Sequence, residues 1–264
     1  MHRLALFGVT GRMGQSVLKA VREAPEFELV GAVASPASPS LGKDAALEGP
    51  PTGVLVTADP AAALHGAGIA LEFSLPAAVI AHASACAQAG VPLLVGSTGL
   101  EPRIDDALGE AARRIPVLVA ANTSIGVNLL ERLVASAARS LGAGFDAEIL
   151  EVHHRAKRDA PSGTALRLGE AIAEARGTTL AEAAIFERHG DTGPRRDEGI
   201  GFAVVRGGDV VGEHTVIFAG DGERIELKHR ATDRMIFARG ALRAGAWLVG
   251  RPPGLYRMRD VLDG

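Results

Sequence analysis

At 264 residues and 47% hydrophobic content, the chain can bury one large core or two smaller ones. Its 31 acidic against 28 basic side chains leave a formal charge of -3, which argues against nucleic acid or an anionic membrane as partner and for a small molecule. The single cysteine, Cys86, cannot close an internal disulfide. No apolar run approaches the roughly 20 residues that cross a bilayer, and MHRLALFGVTG is broken too early by glycine for a signal peptide, so a cytoplasmic protein is expected.

In chain order, the first 124 residues alternate short apolar runs with helix-like stretches. The runs are LALFGV, ELVGAV, IALEFSL, PLLVGST and VLVAAN, separated by segments such as GQSVLKAVREA and AVIAHASACAQAG. Continuous rather than alternating apolar character suits parallel strands buried on both faces, so this part reads as an open α/β sheet covered by helices.

The first strand runs into GVTGRMG, residues 8–14, where Gly8, Gly11 and Gly14 form a GxxGxxG loop opening a helix. Such a loop lets backbone approach a pyrophosphate, and the helix start adds unsatisfied N–H groups and partial positive charge. Thr10, Arg12 and Met13 lie within it, and the Arg12 guanidinium can reach a phosphate. About 20 residues further on, nucleotide folds place an acid for the ribose of NAD or an arginine for the 2′-phosphate of NADP. Ala34 and Ser35 stand there instead, followed by the Pro/Ser-rich stretch ASPASPSLGKD, which reads as a loop. Phe73 in FSLP and Gly96, Ser97 and Thr98 in GSTG end later strands, where ligands of such sheets bind. AANTSIGVN, with Ala121, Asn122, Thr123 and Ile125, closes the first domain and is a candidate hinge as well as a cofactor lip.

From about residue 125 the pattern changes to a second, mixed α+β domain. A helix in NLLERLVASAARSL leads to a strand, EILEVHH. Neighbours on a strand face opposite ways, so His153 and His154 do not share one ligand, and no metal is expected. Pro161 stops the loop carrying Lys157 and Asp159 from turning helical, and Ser162 is placed to cap a helix whose packing face is Ala165, Leu168, Gly169, Ile172 and Ala173. The start of that helix, at Gly163 and Thr164, is an anion site. The GG and DG signals in GFAVVRGGDVVGEHTVIFAGDGERIELKHRA predict antiparallel hairpins. A last helix, in MIFARGALRAGAWLVG, with Ile236, Ala241, Ala244 and Leu248 among its apolar positions, is expected to pack on the first domain. A lysine, two histidines and an anion-binding helix start within twelve residues suit a carboxylate substrate that needs a proton.

The run EVHHRAKRDAPSGTAL, residues 151–166, resembles the signature of the dihydrodipicolinate reductase family. GVTGRMG, EFSLP, VGSTGL, ANTSIGVN, RHGDTGPR and GEHTVIF are similar to that family's other motifs, in the same order, over essentially the whole chain. The resemblance implies an α/β protein with an N-terminal Rossmann-like nucleotide-binding domain, residues 1–124 and 235–264, and a second mixed α+β substrate-binding and oligomerisation domain, residues 125–234. It implies hinges near 124 and 235, a homotetramer built through the central sheets, and reduction of a cyclic dicarboxylate imine by NADPH or NADH in the diaminopimelate route to lysine. Proton donation or charge stabilisation falls on His153 and Lys157, one substrate carboxylate on His154, and the other on Ser162, Gly163 and Thr164. Cofactor contacts fall on the residues at 8, 10–14, 34, 35, 73, 96–98, 121–123 and 125. The family often carries an acidic-then-basic pair where Ala34 and Ser35 stand, so both cofactors are expected to work, with NADPH modestly better. Another amino-acid or hydroxy-acid dehydrogenase on the same nucleotide domain, or a non-catalytic NAD(P)-sensing protein, are the alternatives; the former would lack the HHRAKRDAPSGTA run.

Overall fold

Strand β1 (His2–Phe7) has four successive residues, Leu4 to Phe7, with no solvent exposure at all, which only a strand covered on both faces achieves. Leu4 and Leu6 point into one apolar cluster and Ala5 and Phe7 into another, as the two-residue period of a strand demands. The computed structural model describes residues 1–264, which divide into two compact units, Met1–Ile125 with Met235–Gly264, and Gly126–Arg234.

In the first unit, β1 is followed by α1 (Arg12–Glu23), β2 (Phe27–Val33), β3 (Val56–Thr57), α2 (Pro60–Ala63), β4 (Ile69–Glu72), α3 (Pro76–Ala89), β5 (Leu93–Val95), α4 (Pro102–Ala112) and β6 (Pro116–Val119). After the second unit the chain returns with α8 (Met235–Leu248), β12 (Gly254–Tyr256) and α9 (Met258–Asp263), the intervening elements being those given below. The seven strands are all parallel, in the order β12-β6-β5-β4-β1-β2-β3. The chain moves outward from β1 in one direction to β3 and in the other from β4, so the ends of β1 and β4 mark the switch point where ligands of such sheets bind. Helix α8 packs against α1, β4 and β5, burying Met235, Ala238, Ala241, Ala244 and Leu248, while Ile236 is only half-buried. Its Gly240 is needed: a Cβ there would sit 1.9 Å from the Thr123 carbonyl oxygen. The edge strand β12 is three residues beside β6, too short for its sequence, GLY, to show a period. The long β2–β3 connection is tied down by polar groups. Asp44 accepts from the backbone N–H groups of Ala46, Thr52 and Gly53, which pull its carboxyl down to about 2, and the Gln15 amide spans Val9 O, Ala45 O and Leu47 N.

The second unit carries α5 (Ile125–Leu141), which begins one residue before it, then β7 (Asp146–His153), α6 (Gly163–Ala175), α7 (Leu180–Ala183), β8 (Ala184–Ile185), β9 (Ile200–Arg206), β10 (Gly212–Gly220) and β11 (Glu223–Ala231). The strand order is β11-β10-β7-β9-β8. The DG signal at Asp221 and Gly222 does turn a hairpin, β10 to β11. The GG signal does not: β9 pairs in parallel with β7, and β10 pairs antiparallel with the other edge of β7. Residues 207–208 instead wrap the end of β7, with Gly207 N donating to His153 O at 3.0 Å and Arg155 N to Gly208 O at 3.2 Å. Turn chemistry reports that the chain reverses, not whether a third strand fills the space between the two arms. Alternate residues of β7 are buried, Ala147, Ile149, Glu151 and His153; the first two join a core with α6 and β10, and the last two are polar.

Candidate active site

The glycine loop of the first unit depends on two of its three glycines in a way that backbone geometry makes plain. Gly8 has φ +77°, and a Cβ there would lie 2.6 Å from the backbone of Phe73 and Ser74. Gly14, inside α1, would place a Cβ 2.4 Å from Gly8 O and 2.5 Å from Val9 O. The N-cap of α1, Gly11, contributes no side-chain cap, so the first N–H groups of the helix receive nothing from a capping side chain and stand open to an anion. Beside this loop lies a cleft of about 420 Å³, within the range of small-molecule sites. It is lined by Met13, Phe73, Ser74, Gly96, Ser97, Thr98, Ala121, Asn122 and Thr123, among others. The Phe73 ring occupies the space a side chain at Gly96 would need, and Ser97 Oγ donates to Ser74 O at 2.8 Å, tying two strand ends together. Beneath it, Glu72 is fully buried and binds His82 Nδ1 and the Ser74 N–H, fixing the turn after β4.

In the second unit the candidate catalytic side chains gather at the end of β7. Glu151 and His153, two residues apart, share one face, and Glu151 Oε2 lies 2.5 Å from His153 Nδ1. The other bonds to Glu151 come from Arg206, bidentate at 2.7 Å for both nitrogens, and from Ser162 N at 2.9 Å. Burial opposes ionisation of Glu151, but the hydrogen bonds from Arg206, His153 and Ser162 outweigh it and hold its pKa below the usual carboxylate range. Burial also lowers the His153 pKa; Glu151 works against that shift, and the Lys157 and Arg206 charges add to it. Deeper in, His214 stacks edge-on against His153 at 5.1 Å and binds Ser162 Oγ at 3.0 Å, and burial drives its pKa down to about 4. Lys157 Nζ pairs with the exposed Asp159 carboxylate at 2.8 Å.

The structure therefore brings His153, Lys157 and Ser162 to one place with Gly163 and Thr164, because Ser162 caps α6 through Ala165 N at 3.2 Å. Ser162 is buried, and both its hydroxyl contacts are internal, to Ala165 and His214. His154 follows the strand and is half-buried, apart from the Glu151 face. In the first unit, Thr10 and Arg12 lie in the glycine loop, Arg12 exposed. Ala34 is buried with its N–H on Thr57 O, Ser35 is exposed, and Ile125 packs against the core; none of these three lines the cleft. Glu151, Arg206 and His214 escape a reading of the sequence. The i, i+2 spacing of Glu151 and His153 was the available signal, since on a strand it puts both on one face. Arg206 and His214 come from β9 and β10, and nothing local announces them. No three His, Cys, Asp or Glu side chains are arranged to hold a metal, and no helix is long and apolar enough to cross a membrane.

Two family models match the chain, "Dihydrodipicolinate reductase, N-terminus" over residues 2–123 and "Dihydrodipicolinate reductase, C-terminus" over residues 126–262. A 4-hydroxy-tetrahydrodipicolinate reductase of Anaeromyxobacter dehalogenans is 52% identical over 264 residues, 99% of this chain and 98% of its own length. Its counterpart in Nitrosomonas europaea is 46% identical over 260 residues, 98% of this chain and 97% of its own. Among solved structures, a dipicolinate-bound dihydrodipicolinate reductase from Paenisporosarcina sp. TG-14 superposes with a TM-score of 0.80 at 25% identity, covering 97% of each chain.

Proposed function

The chain belongs to the dihydrodipicolinate reductase family, NAD(P)H-dependent oxidoreductases that reduce 4-hydroxy-tetrahydrodipicolinate on the diaminopimelate route to lysine, and from that premise we propose how its residues share the reaction. The first unit is the dinucleotide-binding domain. Gly8, Gly11 and Gly14 with Thr10 and Arg12 would hold the pyrophosphate, Ala34 and Ser35 would flank the ribose, and Met13, Phe73, Gly96–Thr98 and Ala121–Thr123 would hold the nicotinamide, with Ile125 following them on the core side. The missing side chains at 8 and 14 and the uncapped start of α1 fit such a group.

The second unit is the substrate and oligomerisation domain. The anion-binding start of α6 holds one carboxylate of the substrate at Gly163 and Thr164, with Ser162 shaping that turn from beneath, and His154 holds the other. When bound, the reduced nicotinamide supplies a hydride to the conjugated imine. Lys157 meets the negative charge that develops and donates the proton that completes the reduction. His153, kept neutral, accepts a hydrogen bond at Nε2 and orients the ring. The observation that carries this reading is the imidazole locked by Glu151 beside the Lys157 ammonium, one short loop ahead of a capped helix start. Both NADPH and NADH serve, with a modest lean to NADPH, and the active form is a cytoplasmic homotetramer.

The test is nicotinamide oxidation with substrate generated in situ from pyruvate and aspartate semialdehyde. Lys157→Ala and His153→Ala are expected to lower turnover by about 10²- to 10⁴-fold with cofactor affinity unchanged. Near wild-type turnover in both variants would overturn the assignment.

A further inference from the structure

Glu151 is fully buried and holds the His153 imidazole, yet in the reaction as assigned neither it nor Arg206, which lies against it, meets substrate or cofactor. Each oxygen of the carboxylate accepts two hydrogen bonds: Oε1 from Arg206 and Ser162 N, Oε2 from Arg206 and His153 Nδ1. Only His153 among these donors has a second protonation site. A carboxylate accepts and does not donate, so the proton of the imidazole stands on Nδ1, and Nε2 carries the lone pair. The space beside Nε2 is kept by Gly212, where a Cβ would stand 2.9 Å away.

Charge counting says which partner balances Glu151. The groups facing His153 are Glu151 on its own strand, Arg206 from β9, His214 from β10 with His229 opposite it on β11, and Lys157 with Asp159 from the loop beyond. Asp159 is paired with Lys157, and Arg206 holds Glu151 in bidentate contact and donates also to Asp159 O at 2.7 Å. A protonated His153 would add a third cation beside Arg206 and Lys157, with the one buried carboxylate already neutralised. We propose that Glu151 and Arg206 are positioning residues for catalysis: the carboxylate fixes His153 as its Nδ1–H tautomer, and the guanidinium supplies the counter-charge that keeps the ring neutral and Nε2 free to accept. This rests on the assignment of His153 to the reaction. The lowered pKa of His153 agrees with it.

The experiment uses the full chain labelled with ¹⁵N in histidine, with His153 assigned by difference from His153→Gln. At pH 7, His153 is expected to show a protonated Nδ1 and a bare Nε2; an imidazolium or the Nε2–H tautomer would overturn the proposal. Glu151→Gln, which keeps the shape but can donate as well as accept, should shift that pattern toward the Nε2–H tautomer and lower kcat at least about tenfold, with KM for the dicarboxylate changed less than about threefold. An unchanged tautomer or an unchanged kcat would overturn it. Arg206→Gln leaves Glu151 to attract the ring proton, so the acid limb of kcat/KM should move to higher pH by about one unit or more. Arg206→Lys, which restores the charge, should bring the limb most of the way back. These variants give a second reading if Glu151→Gln does not fold, and a limb that stays put in Arg206→Gln would overturn the counter-charge role. If Lys157→Ala and His153→Ala lose turnover while Glu151→Gln does not, the catalytic assignment stands and the positioning role falls. Wild-type turnover in His153→Ala would instead remove the assignment itself and the positioning role with it.

Discussion

Replacing Gly8 by alanine tests whether the glycine loop is held by its neighbours or is merely a turn. Two costs add. An alanine at φ +77° costs about 1–2 kcal/mol, because its Cβ crowds the following carbonyl oxygen. The same Cβ would stand 2.6 Å from Phe73 C, Phe73 O and Ser74 N, which are backbone atoms anchored by Phe73 N on Phe7 O and Ser74 N on Glu72. Relieving such overpacking costs typically about 1–3 kcal/mol. The expected destabilisation is therefore about 2–5 kcal/mol. It should come with weaker cofactor binding, since Phe73 and Ser74 line the cleft. Gly11→Ala is the internal control: its Cβ meets only Gly8 O, at 3.2 Å, and its φ is an ordinary -77°. Its stability should stay within about 1 kcal/mol of wild type. Urea denaturation of the two variants, with cofactor titration of each, decides the matter. Equal midpoints for Gly8→Ala and Gly11→Ala would refute the argument.

The buried His214 should make stability pH-dependent. Its pKa is about 4 in the fold against about 6.5 in the unfolded chain, so between those values the unfolded state binds more protons. Stability present above pH 6.5 is then lost as pH falls toward 4, by an amount on the order of 3 kcal/mol. His214→Asn should flatten that part of the stability profile, and an unchanged slope would count against the burial argument. For the cofactor, the ratio of kcat/KM between NADPH and NADH should not exceed about tenfold, or roughly 1.4 kcal/mol, because neither a carboxylate nor an arginine stands at Ala34 or Ser35. A hundredfold preference for NADH would sink that reasoning. Lys157→Ala and His153→Ala complete the set, read by turnover as described above.

Much of this protein was legible without coordinates because its signals are local. Parallel strands buried on both faces need unbroken apolar runs, so LALF, LVGAV and IALE announce themselves. A capping serine after a proline marks a helix start wherever it occurs, and all five residues read as the packing face of α6 are buried. The i, i+2 spacing that puts Glu151 on the His153 face is a local signal too, but spacing alone does not say that the two side chains bond. Tertiary structure decided what involves residues far apart in the chain. It placed β7 between β9 and β10, where the GG turn suggested a simple hairpin, because strand pairing is settled by which edges are free and not by turn residues. It thereby set Arg206, 55 positions along the chain from Glu151, against that carboxylate, and His214, 52 from Ser162, against its hydroxyl. It also separated the three glycines of one motif into two, Gly8 and Gly14, where a Cβ would stand 2.6 Å or less from backbone, and one, Gly11, where it would meet only Gly8 O at 3.2 Å. The sequence by itself determined which chemical groups are present and which local elements they ride on. Distances across a sheet, the burial that moves a histidine's pKa and the space beside a Cα exist only once remote strands have paired.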